Sequence, residues 1–271
     1  MSNKHTLESN TLLEQHVESG VLRIVLNDVA KRNALSEAML NQLIDMLNAS
    51  AADPSVRVVV LAANGPAFCA GHDLKELTAG RDAPDNGQEY FAKIMARCSK
   101  MMQAIVNHPK PIIAEVDGVA TAAGCQLVAS CDLAVASDTA KFSTPGVHIG
   151  LFCSTPMVAL SRNIAKKHAM EMLLTGDMVS AGRAVDMGLI NMAVEKDMLS
   201  QATMDLAQRI ASKSSMALAI GKTAFYQQSE MSLADAYHFA ANVMVKNMLT
   251  HDAEEGIGAF IEKRNPQWRD E

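Results

Sequence analysis

The chain has 271 residues, 49% of them apolar, enough for one large domain or two small ones around a real core. Its 30 Asp and Glu outnumber 24 Lys and Arg, and the net charge of −6 argues against a nucleic-acid or membrane-surface protein. Five cysteines (Cys69, Cys98, Cys125, Cys131 and Cys153), odd in number and without Cys-x-x-Cys spacing, read as reduced thiols.

The first residues, "MSNKHTLESNTLLEQH", lack the apolar stretch of a secretory signal and carry Glu8 and Glu14, against a transit peptide. No run reaches the roughly 18 apolar residues that a membrane span needs. The expectation is a cytoplasmic protein with no membrane association, an organellar matrix remaining open. "GVLRIVLND" reads as a strand, and "SEAMLNQLIDMLNAS" as an amphipathic helix capped by Ser36. "RVVVLAAN" is an apolar run before Asn-Gly-Pro and reads as a buried strand. The spacing predicts a long helix over 88–108, strands in "PIIAEVDG" and "LAVASD", and one short helix over 123–131 between them. Short buried strands alternating with helices make an α/β domain. From about residue 197 only helical patterns remain, so the chain divides into an N-terminal extension (1–19), an α/β core (20–199) and a C-terminal helical region (200–271). A tail this apolar should pack on its own core or on a neighbouring subunit.

Two loops of small residues follow strands, "GPAFCAGHDLKEL" and "GVATAAGC". Gly71 and Gly124 permit tight bends, and two backbone N–H groups from two such loops can converge on one oxygen as an oxyanion hole. On spacing alone an ordinary pair of tight turns is the more frequent meaning. Neither loop is a phosphate-binding GxGxxG or P-loop, and no His, Cys or Asp spacing suits a metal.

The blocks "AFCAGHDLKEL", "KPIIAEVDGVATAAGCQLVASCDLAVAS", "FSTPGVHIG" and "DAEEGIGAFIEKRNPQW" resemble, in order, the enoyl-CoA hydratase/isomerase or crotonase superfamily, and "VLRIVLNDVAKRNALSEAML" is similar to its N-terminal strand and helix. The resemblance spans residues 20–268. It implies a crotonase-type spiral of ββα units with a C-terminal helical oligomerisation region that builds homotrimers, often paired into hexamers. It implies an acyl-CoA ligand, whose thioester carbonyl lies between the N–H groups of His72 and Ala123. The Ala123 position is usually Gly in the family, but Ala also carries an N–H. It places Lys75, with Ala70, Asp73 and Leu74 in the same loop, against coenzyme A. Phe260 and Lys263 match positions that reach the adenine and phosphate end from a neighbouring subunit. Coenzyme A belongs to the substrate, so no separate cofactor is expected.

The same resemblance exposes a departure. Typical hydratases of the family use two glutamates, and the matching positions here are Gln126 and Gly146. An amide side chain orients water but does not take its proton at neutral pH. Losing one positioned acid or base costs about 10²–10⁴-fold. Nearby groups that remain are His148, Cys153, Ser154, Asp73, Glu115 and the His72 side chain, of which His148 is the best titratable candidate. Asp73 also reads as a loop cap or ion-pair partner, and a lone His in an apolar loop is more often structural. Three readings stay open: a hydratase-like enzyme with a non-standard acid or base, a different thioester reaction such as decarboxylation or isomerisation, and a non-catalytic acyl-CoA binder.

Overall fold

Val21 to Leu26 is apolar at every position but Arg23, and it forms an interior strand of a sheet covered on both faces, β2 (Val21–Leu26). The structure, a computed structural model, describes residues 11–271. β1 (Leu13–Glu18) pairs antiparallel with β2 along the edge. Helix α1 (Glu37–Ala52) follows, with the Ser36 hydroxyl accepting from Met39 N at 3.1 Å as the expected cap.

The chain then winds as a spiral whose successive strands go to different sheets. β3 (Val58–Ala63) enters the large sheet and β4 (Ala67–Cys69) a smaller one, followed by α2 (Leu74–Gly80) and α3 (Gln88–Val106). β5 (Ile112–Val116) and β6 (Val119–Thr121) repeat the division and lead into α4 (Ala123–Ser130). β7 (Leu133–Ser137) and β8 (Lys141–Ser143) repeat it again, before α5 (Pro156–Asn163) and α6 (Lys166–Thr175). β9 (Val179–Ser180), α7 (Ala181–Met187) and β10 (Met192–Val194) close the two sheets in the opposite order. The large sheet has the order β1-β2-β3-β5-β7-β10 and the small one β4-β6-β8-β9. This is the crotonase-type α/β spiral that the resemblance implied.

Side chains alternate between the faces of the large sheet. Leu22, Ile24, Leu26 and Leu61 meet Leu40, Leu43 and Met101 from α1 and α3 on the spiral side. Val21, Val58, Val60, Ile113 and Val135 meet Leu199, Ala207 and Ala211 of α8 (Leu199–Ala211) on the other. The expected divisions at residues 19 and 199 therefore do not follow the packing. β1 lies inside the stretch read as an extension, because one buried residue, Leu13, gave no periodic signal. α8 belongs to the core, and the separate helical region begins with α9 (Ser215–Gln228), α10 (Leu233–Met248) and α11 (His251–Glu262). No described helix is long and apolar enough to cross a membrane.

A buried polar knot fastens α9 to the core. Lys222 Nζ donates to Asp132 Oδ2 at 2.7 Å and to the carbonyls of Ile105 and Lys110 at 3.1 Å each. Asp132 Oδ2 also accepts from Ile112 N, and Oδ1 from the Tyr226 hydroxyl at 3.0 Å. Burial, then Asp132, pushes the Tyr226 phenol upward, so it stays a donor. Removing the acid would strand a buried ammonium, at a cost of about 3–5 kcal/mol. Asp132→Ala is therefore expected to lower the urea-unfolding free energy by that amount.

Candidate active site

Both small-residue loops leave the C-terminal ends of small-sheet strands, β4 and β6, which pair in parallel and so bring the loops side by side. In the first, Gly71 has φ +90°, where a side chain would be strained. Its carbonyl accepts from Leu35 N at 2.7 Å, and Ala70 N donates to Arg32 O at 3.1 Å, fixing the loop to the segment before α1. Asp73 caps α2 by accepting from Lys75 N at 2.9 Å and Glu76 N at 3.3 Å, and pairs with Lys31 at 3.0 Å. Burial pushes its carboxyl up, but Lys31 and the two amides outweigh that and hold it below the usual range. Asp73 is thus the cap and ion-pair partner that the sequence suggested.

In the second loop Ala122 carries φ 51° and ψ −118°, a conformation rare for any residue with a Cβ. Its N–H donates to Ser143 O at 2.9 Å and its carbonyl accepts from Gln126 N at 3.0 Å, so both sides of the strained residue are tied down. Ala123, Gly124 and Cys125 open α4, and the first N–H groups of a helix have no partner within it. The loops touch: a Cβ on Gly71 would stand 2.9 Å from Ala122 Cβ and 3.3 Å from Ala123 N. The Thr121 hydroxyl bridges them by donating to Ala70 O at 3.2 Å. Among the described residues the His72 N–H donates to no main-chain group. Two amides from adjoining turns, one at a helix N-terminus, therefore stand free for an oxygen that gains negative charge. Gly124 makes the approach possible, because a Cβ there would lie 2.1 Å from Cys69 O.

The other candidates divide. Gln126 is 5% exposed, and its Oε1 has no hydrogen-bond partner. Gly146 is buried in a short 3₁₀ turn over 145–149. A Cβ there would meet Cys153 Sγ at 2.9 Å and Leu151 O at 3.0 Å, so the space a side chain would use is already taken. His148 is exposed, and its Nε2 sits 2.8 Å from Thr175 O. This carbonyl makes Nε2 a donor, so the ring is a tie to the end of α6 rather than the free base proposed from sequence. Glu115 accepts from Arg23 on the α8 side of the large sheet, shared with Ile113, and is committed to that ion pair. Leu74 and Lys75 lie exposed on the first turn of α2. Phe260, 84% exposed, and Lys263, at the end of α11, stand on the tail surface. The strain at Ala122 and the thiol against Gly146 were not visible in the sequence; the departure from a Gly-rich pattern at 122–123 was the only signal.

Burial holds the His72 imidazole below its usual range, and burial does the same for His108 under α1. Both are neutral at pH 7.

A model of the enoyl-CoA hydratase/isomerase family matches residues 16–271. The chain is 48% identical over 251 residues to "Enoyl-CoA hydratase domain-containing protein 3, mitochondrial" of Mus musculus, covering 93% of this chain and 82% of that one. A crystal structure described as enoyl-CoA hydratase of Mycobacterium smegmatis superposes with TM-score 0.91 at 50% identity, covering 95% of this chain and 99% of the other. The crystal structure of human enoyl coenzyme A hydratase domain-containing protein 3 gives TM-score 0.91 at 46% identity, with 95% and 100% covered.

Two outcomes are expected. Strain of the kind at Ala122 costs about 1–3 kcal/mol, of which a glycine returns about 0.4–1 through the unfolded chain. Ala122→Gly should thus stabilise by about 1 kcal/mol, raising Tm by about 2–4 °C. A histidine with a folded pKa below its unfolded value of about 6.5 adds stability above that pH and loses it as pH falls toward the folded value. Urea midpoints should therefore drop from pH 7 to pH 5, less steeply in His72→Asn.

Proposed function

We propose that this chain, which belongs to the enoyl-CoA hydratase/isomerase family, binds an acyl-CoA thioester with its carbonyl oxygen between the N–H groups of His72 and Ala123. The observation that carries this is the contact of the two turns, which leaves one amide from each beside the other. Such a pair stabilises the enolate that forms when the carbon next to a thioester carbonyl loses a proton or a carboxyl group. Lys75 on α2 faces solvent where it can meet phosphate or pantetheine oxygens, and Leu74 beside it offers apolar surface.

The reaction is hydratase-like in its carbonyl site but lacks the two carboxylates. Gln126 is buried and does not accept a proton at neutral pH. At 146 there is no side chain and no room for one. This crowding favours a second reading, a non-catalytic acyl-CoA binder or a thioester reaction, such as decarboxylation or isomerisation, that leans on the amide pair alone.

The assembly we propose is a homotrimer or a pair of trimers. Its support is the tail: none of the residues of α9 or α10 is buried, and Leu233, Leu249 and Phe260 are 76%, 81% and 84% exposed. A stripe of this size on a single chain is the mark of a protein interface. In such an assembly Phe260 and Lys263 come to a neighbour's ligand.

The expected result is saturable binding of butyryl-CoA, with crotonyl-CoA hydration at least about 10²–10⁴-fold below that of a two-glutamate relative. Gly71→Ala should abolish binding, since its methyl would fall between the two turns. Rapid hydration by the wild type would refute the account of Gln126 and Gly146. Light scattering should return three or six times the chain mass.

A further inference from the structure

Cys153 is the one cysteine of this chain that the fold does not simply bury in its core. The sulfurs of Cys69, Cys98 and Cys125 sit inside, where burial pushes their thiols up to about 12. Cys153 lies instead on the loop between the 145–149 turn and α5, flanked by exposed Leu151, Phe152 and Ser154. Its sulfur takes the space next to Gly146 and accepts a hydrogen bond from the Gly146 amide. The charge it would carry is felt at Cys125, so the thiol also stands against α4, the helix that opens with Ala123. The two segments framing it hold buried polar atoms without partners: Gln126 Oε1 on α4, and Ser143 Oγ and Thr144 Oγ1 just before the turn. Gln126 is 5% exposed and the other two are fully enclosed. Atoms left this way want a polar group to enter between α4 and the turn.

We propose that Cys153 is the nucleophile of this site and forms a reversible thioether with C3 of an α,β-unsaturated acyl-CoA. The inference rests on the reading of the amide pair as a thioester-carbonyl site. The sulfur gives up its proton and bonds to C3. The C2=C3 π pair moves to C1, and the thioester oxygen becomes an enolate oxygen held by the His72 and Ala123 amides. C2 then takes one proton. The net change is addition of S–H across the double bond, with no oxidant, reductant or third reactant, and elimination reverses it. The thiolate is the attacking form, and burial raises the Cys153 thiol, so addition is slow at neutral pH and quickens as pH rises.

The test incubates the wild-type protein with crotonyl-CoA at pH 7 and pH 9 without added thiols and reads intact mass, followed by peptide mapping. A parallel titration with butyryl-CoA, which has no double bond to attack, reads binding alone. The expected result is an increment of one crotonyl-CoA per chain, mapped to Cys153, forming at least about tenfold faster at pH 9 than at pH 7. The increment should be absent in Cys153→Ser, whose near-isosteric hydroxyl keeps the loop folded, as circular dichroism would verify. Butyryl-CoA binding without a crotonyl adduct overturns the proposal while leaving the thioester site standing, as does an adduct mapped to another cysteine. Failure to bind either ester overturns the site reading together with the proposal.

Discussion

A methyl group on Gly124 would press to 2.1 Å from the carbonyl oxygen of Cys69, and this lack of space governs the centre of the molecule. It means that the first turn of α4 lies directly on the backbone of β4, with no side chain between them. Only then does the Ala122–Ala123 peptide come beside Gly71–His72, and only then do amides from two separate spiral turns share one opening. The same closeness leaves Gly71 no room for a Cβ and places Ala122 in its unfavourable backbone geometry. The surrounding hydrogen bonds from Ala122 to Ser143 and Gln126, and from Gly71 to Leu35, hold that geometry in place. Carbonyl recognition here is thus a property of backbone packing, and the side chains nearby decide the fate of a bound ester.

Much of this was legible in the sequence where local signals are strong. β2, β3, β5 and β7 are runs of five or six mostly apolar residues, and α1 and α3 repeat their buried positions over four or more turns. The strands β4, β6 and β8 have three residues each, too few to show a period, so the small sheet was invisible although it positions both loops. The loops themselves announced their chemistry through Gly71, Ala123 and Gly124. What the sequence withheld was direction. Nothing local says that His148 reaches back to Thr175, 27 positions on, or that Glu115 is claimed by Arg23 from two strands away. The match to a family supplied the assignment of the two amides, which composition and spacing alone left as ordinary turns.

Polarity in the interior obeys one economy. Asp132 serves Lys222, Tyr226 and the Ile112 amide at once, and Asp252 accepts the Arg269 and Asp270 amides while Asp270 itself holds Arg57 and Ser215. Each buried carboxylate is surrounded by donors, as burial requires. The region around Gln126, Ser143 and Thr144 breaks the pattern, with polar atoms enclosed and unanswered. Departures of this kind concentrate where a protein keeps capacity for a guest.

The contact between Gly146 and Cys153 also has a historical side. Any larger residue at 146 must first find the Cys153 sulfur and the Leu151 carbonyl moved aside, so a single codon change there meets a clash before it can confer any benefit. A smaller residue at 153, or a shifted loop, would have to come earlier and be tolerated by itself. The order of steps is constrained, and the lineage carrying this pair is held to its present chemistry by packing as much as by selection on activity.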